Sequence, residues 1–241
     1  ASVTFTPGTA GFGQGVEAAV SGLPAVDFSV TLRRPFHVLA GGNNVPEQYT
    51  SDLWLAKGYG YTGTWGYRTA IGNVIKVWQL GGGGAPTLVG ADTIPNVTTV
   101  SDLQVSPDSS LLVATGEYGN GAGLYVYSLT DPAHPALVAQ WSVANATGGL
   151  HTGTLATIDG QLYAFTARDP NAPSLLTFRI QPDSLAVIVP VDSIPMPANY
   201  GIHDTFVRDG LLFVENWNSG LWIYDIGGGG HPGAIRPMTL S

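Results

Sequence analysis

The sequence predicts an all-β chain built of about four similar repeats, on three observations. A short signature recurs about every 50 residues: Ser51-Asp52-Leu53 returns as Ser101-Asp102-Leu103, and Leu150-His151-Thr152 and Ile202-His203-Asp204 fall at the corresponding places. Each recurrence opens the same series of four short apolar segments, alternating in polarity and separated by turn residues. The 33 glycines and 17 prolines punctuate the chain too often for long helices, and no sustained 3.6-residue pattern is found.

The elements follow in order. Residues 1–27 are poor in charge and rich in Ala, Gly and Ser, and read as an extended N-terminal arm. Phe5 and Phe12 are costly to leave in water, so the arm is expected to lie on something. A strand-like stretch at 28–39 resembles the last strand of a preceding repeat. Four repeats follow, at roughly 51–99, 100–147, 148–199 and 200–241, and residues 28–241 form a single domain.

Each repeat opens with a first strand, at 53–56, 103–106, 154–158 and 205–207. A tight turn comes next: Lys57-Gly58, Pro107-Asp108, Asp159-Gly160 and Asp209-Gly210. Asp-Gly suits the positive φ that such hairpins need. Second strands are expected at 61–65, 111–115, 162–166 and 211–216. Third strands, at 74–80, 124–129, 175–180 and 221–226, carry the strongest β-branched and aromatic signal. Fourth strands are expected at 87–91, 136–141, 185–189 and, more weakly, 234–239.

A lone four-stranded sheet cannot bury both faces, and packing neighbouring sheets around an axis does. Four strands per repeat at this period therefore predict a β-propeller-like domain of about four four-stranded blades, either incomplete as a ring or closed by the N-terminal strand. An incomplete ring would leave strand edges to pair with a partner.

The segment from Ile202 to Val214, followed by Ser219-Gly220-Leu221-Trp222-Ile223-Tyr224-Asp225-Ile226, resembles the LVIVD-repeat propellers, an exported bacterial family. The linker Thr130-Asp131-Pro132-Ala133-His134-Pro135 has that family's usual form. The likeness covers residues 51–241. It implies a propeller fold and says almost nothing of activity. A short, cysteine-free propeller relative beginning at Ala1 also looks like the membrane-extrinsic subunits of double-ring bacterial photosystems. That likeness implies a scaffold holding a reaction centre within its light-harvesting antenna.

Composition narrows the function classes. Seventeen acidic against nine basic residues give a net charge of −8, which repels phosphate backbones and speaks against nucleic acid as a partner. Without cysteine there is no disulfide, thiolate metal site or cysteine nucleophile. No apolar run is long enough to span a bilayer. Ala1 in place of Met, followed by small and polar residues, leads us to expect a mature end after signal-peptide removal and a periplasmic, membrane-peripheral location. The glycine runs 81–84 and 227–230 lack the Lys-Ser/Thr and helix of a phosphate loop and read as linkers.

Asp52, Asp102, His151, His203 and Asp204 stand near the starts of the first strands, which line the axis of a propeller. Imidazole beside carboxylate suits a divalent metal or acid–base chemistry, with His151, His203 and Asp204 as the candidates. The simpler reading is one backbone hydrogen bond per blade junction. Tyr59, Trp65, Tyr67 and Trp217 near turns, and Arg33, Arg34 and Arg68 on an acidic chain, are candidates for a protein interface together with Phe5 and Phe12. The main expectation is a non-enzymatic scaffold, without cofactor, that binds subunits of a membrane-embedded complex. The alternative is a propeller with a small metal-binding, ligand-binding or hydrolytic site at its channel.

Overall fold

The computed structural model describes residues 2–6, 14–19, 26–30, 48–66, 70–81, 84–142, 148–168, 173–181, 187–197, 201–227 and 236–238, with side chains for those between 48 and 227. The chain divides into two compact units, Ala1–Gly41 and Gly42–Ser241. The first holds β1 (Ser2–Thr6), β2 (Gln14–Ala19) and β3 (Val26–Val30), which pair in that order as an antiparallel meander. Where the sequence suggested an extended arm, the backbone pairs with itself. The alternation there is too short and too diluted by Gly and Ser to be read as strands.

The second unit repeats one motif. Blade 1 is β4 (Gln48–Ala56), β5 (Tyr59–Gly66), β6 (Val74–Gln79) and β7 (Thr87–Thr93). Blade 2 is β8 (Thr99–Val105), β9 (Leu111–Glu117), β10 (Gly123–Ser128) and β11 (Ala136–Ser142). Blade 3 is β12 (Leu150–Ile158), β13 (Gln161–Arg168), β14 (Ser174–Gln181) and β15 (Val187–Pro195). Blade 4 is β16 (Asp204–Arg208), β17 (Leu211–Glu215), β18 (Leu221–Asp225) and β19 (Arg236–Met238), with the 3-10 turn Trp217–Ser219 between β17 and β18. Every blade is an antiparallel meander, and a bridge between Trp65 and Thr99 runs blades 1 and 2 together into one sheet.

The hairpin turns work as their residues require. Lys57-Gly58, Asp159-Gly160 and Asp209-Gly210 hold φ of 49° and 79°, 49° and 77°, and 51° and 79°, positive at both central positions. Blade 2 solves the same corner differently. Its Asp108 carboxylate accepts the Ser106 hydroxyl at 2.6 Å and the Ser110 N–H at 3.0 Å, and Ser109 takes φ 59°.

Three hydrophobic clusters lie between successive blades. Tyr61, Ile75 and Val77 of blade 1 meet Leu112, Ala114, Tyr125 and Tyr127 of blade 2. Leu111, Val113, Leu124 and Val126 meet Leu162, Ala164, Phe178 and Ile180. Phe165, Ala167 and Leu175 meet Leu212, Val214 and Tyr224. The alternation of each strand sends one set of side chains to the blade before and the other to the blade after, so the middle strands are apolar on both faces. The first strands run side by side in the order β4, β8, β12, β16, and among the described residues no comparable packing returns from β16 to β4.

The described residues are all-β apart from the one short turn, and the propeller-like repeat with four strands per blade is as the sequence predicted. The first strands of blades 1 to 3 begin earlier than expected, and β15 lies C-terminal to its expected place. β4, β8 and β12 each carry a bulge near the start, which breaks the alternation a sequence reading depends on.

Candidate active site

The bulges decide where the axial side chains go. Asp52, Asp102, Thr152 and Asp204 occupy matching places in β4, β8, β12 and β16 and reach toward neighbouring blades. Asp52 accepts the Leu103 N–H at 2.9 Å. Asp102 accepts the Gly153 N–H at 2.8 Å and lies 2.7 Å from the Thr152 hydroxyl. That hydroxyl is also 3.0 Å from Asp204 Oδ1, and with one proton it donates to one carboxylate at a time. Asp204 turns back to accept the N–H of Thr205 at 2.7 Å. Gln104 accepts the Leu155 N–H at 2.5 Å.

These bonds fasten the first strands together at the bulges, where a ladder bond is missing. Burial pushes the Asp102 carboxyl up to about 7, the hydrogen bond with Asp52 and that group's charge add to this, and the Gly153 N–H and Thr152 hydroxyl oppose it. Asp102 therefore keeps its proton well above the usual carboxylate range.

A second arrangement forms at the mouths of the blades, where first strands begin and second strands end. Glu117, the last residue of β9, is 4% exposed, and its Oε1 lies 2.6 Å from Nδ1 of His151 near the start of β12. The two residues come from different blades, because Glu117 alternates with Leu111 and Val113 on the face turned to blade 3. A buried carboxylate on Nδ1 fixes the imidazole's orientation and favours the tautomer whose Nε2 carries a lone pair. The His151 side chain keeps about 26% of its surface open to solvent.

The His203 ring stands 5.7 Å from that of His151, edge to face, and 4.6 Å from that of Trp217, again edge to face. His203 is placed by its own N–H, which donates to the Glu215 carbonyl at 2.7 Å. Trp217 is 53% exposed and holds φ 34°, in the left-handed region that a bulky residue avoids. Its turn is closed by the Ser219 N–H on the Asn216 carbonyl and the Gly220 N–H on the Trp217 carbonyl. This solvent-facing tryptophan, held at positive φ against a histidine, fills no core. Glu117, His151, His203 and Trp217 thus make an oriented imidazole, a second imidazole and an aromatic wall on one surface.

The axial candidates fall into two sets. His151 and His203 come together. Asp204 stays in the axial network, and so do Asp52 and Asp102, engaged with backbone and hydroxyl donors. Among the described residues no group of three or more His, Asp or Glu is disposed to hold a metal ion. Of the interface candidates, Tyr59 packs against the cluster between blades 1 and 2, while Trp65 and Trp217 are exposed. The side chains of Phe5, Phe12, Arg33, Arg34, Tyr67 and Arg68 lie outside the described residues. Among the described residues no helix is long and apolar enough to cross a membrane.

Sequence reasoning missed Glu117. It sits alone at the end of Leu-Leu-Val-Ala-Thr-Gly-Glu, in no motif. The one available signal was an acidic residue closing a run otherwise fit for a buried strand.

No protein-family model matches the chain, and no curated protein matches it. Solved structures do. A Bacteroides uniformis protein provisionally named a 6-phosphogluconolactonase is 13% identical, with TM-score 0.63 over 96% of this chain and 68% of its own. A Bacteroides fragilis protein with the same provisional name is 11% identical, with TM-score 0.62 over 94% of this chain and 64% of its own. The β-propeller domain of Myceliophteria thermophila Cps50 is 10% identical, with TM-score 0.51 over 88% of this chain and 63% of its own. This chain therefore spans about 64% of the length of the Bacteroides fragilis protein.

At such identities the likeness shows the fold alone. The narrower likeness to LVIVD-repeat proteins finds no matching family model. The expectation of a non-enzymatic photosystem scaffold is corrected: two of the similar structures just named carry a hydrolase name, and none of the three is a photosystem subunit. The chain is similar in fold to β-propellers, some of them named as lactone hydrolases.

Proposed function

We propose that this propeller binds a small ester or lactone at the mouths of its blades and hydrolyses it, with Glu117 and His151 as the acid–base pair. The observation that carries this reading is the 2.6 Å contact between a buried Glu117 carboxylate and His151 Nδ1, with His203 beside it. The hydrolase names of two fold neighbours support the ester class and no more than that.

The chemistry follows from the geometry. Glu117 holds the His151 ring and stabilises it once charged. His151 Nε2 takes a proton from water as the water oxygen bonds to the lactone carbonyl carbon. The carbonyl oxygen becomes an oxyanion, and we assign the neighbouring His203 the role of donating a ring N–H to it. As the intermediate collapses, the bond to the ring oxygen breaks, that oxygen takes the proton from His151, and a hydroxy acid leaves. Trp217 offers an apolar wall for the carbon face of the substrate. A chain of net charge −8 with Glu117 at the site suits a neutral lactone better than a phosphorylated one.

A pH-stat assay of δ-valerolactone and glucono-δ-lactone opening tests the reading. Wild type should open at least one faster than buffer, and His151→Ala should lose that rate. Tight binding of a lactone without turnover would leave a binding module and remove the hydrolase.

A further inference from the structure

Three of the four axial positions carry aspartate, and the one in blade 3 carries Thr152. The exchange reverses a bond. At the junction of blades 1 and 2 the Asp52 carboxylate accepts the Leu103 N–H from the next first strand. At the junction of blades 2 and 3 Asp102 accepts the Gly153 N–H in the same way. The matching N–H in blade 4 belongs to Thr205, and there Asp204 accepts it from its own neighbour at 2.7 Å. Thr152 instead donates, with Asp102 Oδ2 at 2.7 Å on one side and Asp204 Oδ1 at 3.0 Å on the other. An ionised aspartate at 152 would face two carboxylates and supply a proton to neither. Thr152 is 4% exposed, so water is a poor replacement for that donor.

Each end of the Thr152–Asp204 bond is preceded by a histidine of the site: His151 comes before Thr152, and His203 before Asp204. Their strands belong to separate sheets, so no backbone ladder sets β12 against β16. The cluster that includes Phe165, Leu175, Val214 and Tyr224 holds blades 3 and 4 together, but apolar contact is non-directional and does not fix how far one strand slides past the other. The hydroxyl–carboxylate bond is directional, and it lies one residue from both imidazoles. A second buried hydroxyl supports the same stretch of β12: Thr115 Oγ1 accepts the Asp102 N–H at 3.1 Å and lies 3.5 Å from the His151 carbonyl oxygen.

We propose that Thr152 is a positioning residue of the site: its bond to Asp204 sets His203 against His151 and so fixes the edge-to-face arrangement of the two rings at 5.7 Å. Its consequence for rate rests on the hydrolytic reading, in which His151 serves the water and His203 the carbonyl oxygen of one reaction. A misplacement of about 1 Å between two such groups costs rate steeply.

Three variants test this. Thr152→Val keeps the shape and removes the hydroxyl, Thr152→Ser keeps the hydroxyl, and Asp204→Ala removes the acceptor. NMR of the histidine rings, assigned through His151→Gln and His203→Gln, reads their arrangement without any substrate. The ring-current shifts and the inter-ring NOE of wild type should persist in Thr152→Ser and be lost in Thr152→Val and Asp204→Ala alike. In the lactone assay Thr152→Val should lower kcat about tenfold with KM little changed, and Thr152→Ser should restore it. Unmoved histidine resonances in a folded Thr152→Val or Asp204→Ala variant overturn the proposal. So does a Thr152→Ser variant that behaves as Thr152→Val, or a kcat that Thr152→Val leaves unchanged in an active protein. Failure of both deletion variants to fold also overturns it, since the bond would then serve the whole fold. Moved resonances in a protein that opens no lactone would support the positioning and remove the hydrolase.

Discussion

Glu117 and His151 meet at 2.6 Å although 34 residues separate them, because one ends the second strand of blade 2 and the other begins the first strand of blade 3. The junction between blades, and not a local motif, assembles the pair. The cluster that includes Leu111, Val113, Leu124, Leu162 and Phe178 sets the spacing of those blades, so packing energy is what positions the chemistry.

Glu117→Gln keeps the shape of the contact and removes the charge that stabilises a protonated His151. Steady-state kinetics on the lactone should show kcat lowered by about 100-fold, within the range of general acid–base effects, with KM little changed. An unchanged kcat would reduce Glu117 to a structural hydrogen-bond partner.

Trp217 projects from a turn and fills no core, so Trp217→Ala should raise KM about tenfold and leave kcat nearly unchanged. Thermal unfolding should move little. A large fall in melting temperature would show that the tryptophan supports the fold and not the substrate.

Asp102 predicts a pH dependence of stability. Its folded value is raised to about 7 from an ordinary 3.8, so the folded chain keeps a proton that the unfolded chain releases. Stability should therefore fall as pH rises from about 4 to about 7, and this contribution should level off above. Asp102→Asn reproduces the protonated carboxyl: its oxygen accepts from Gly153 and Thr152, and its amide donates to Asp52. Urea unfolding across this range should show a flatter profile for the variant and greater stability than wild type at pH 8. A parallel profile would contradict the assignment.

Phe178 is buried between blades 2 and 3, its ring 4.6 Å from that of Trp141. Phe178→Ala should cost about 3–5 kcal/mol, the usual range for removing a buried aromatic, measured as a lowered urea midpoint. It should also impair hydrolysis at temperatures where the chain stays folded, since the same junction seats Glu117 against His151.

The repeat was legible because third strands such as Leu221–Asp225 alternate aromatic and β-branched residues, and because Asp-Gly at 159–160 and 209–210 dictates a hairpin. The N-terminal meander was not, since Gly and Ser dilute its pattern. For the site, His151 and His203 stood out by their places in the repeat. Their convergence with Trp217, and the presence of Glu117, depend on which face each strand turns to the next blade. A bulge such as that between Leu150 and Gly153 shifts that register by more than a sequence pattern can resolve. The repeat alignment already set Thr152 opposite Asp204, but that its hydroxyl joins Asp102 and Asp204 depends on geometry that the pattern does not carry.

The central claim is that Glu117 and His151 act as one unit in lactone hydrolysis, and a double-mutant cycle measures it most directly. kcat/KM would be determined for wild type, Glu117→Gln, His151→Ala and the double variant. The account predicts that wild type exceeds buffer and that the double variant is no slower than His151→Ala alone, because Glu117 acts only through the imidazole. Additive losses, or a wild type no faster than buffer, would contradict it.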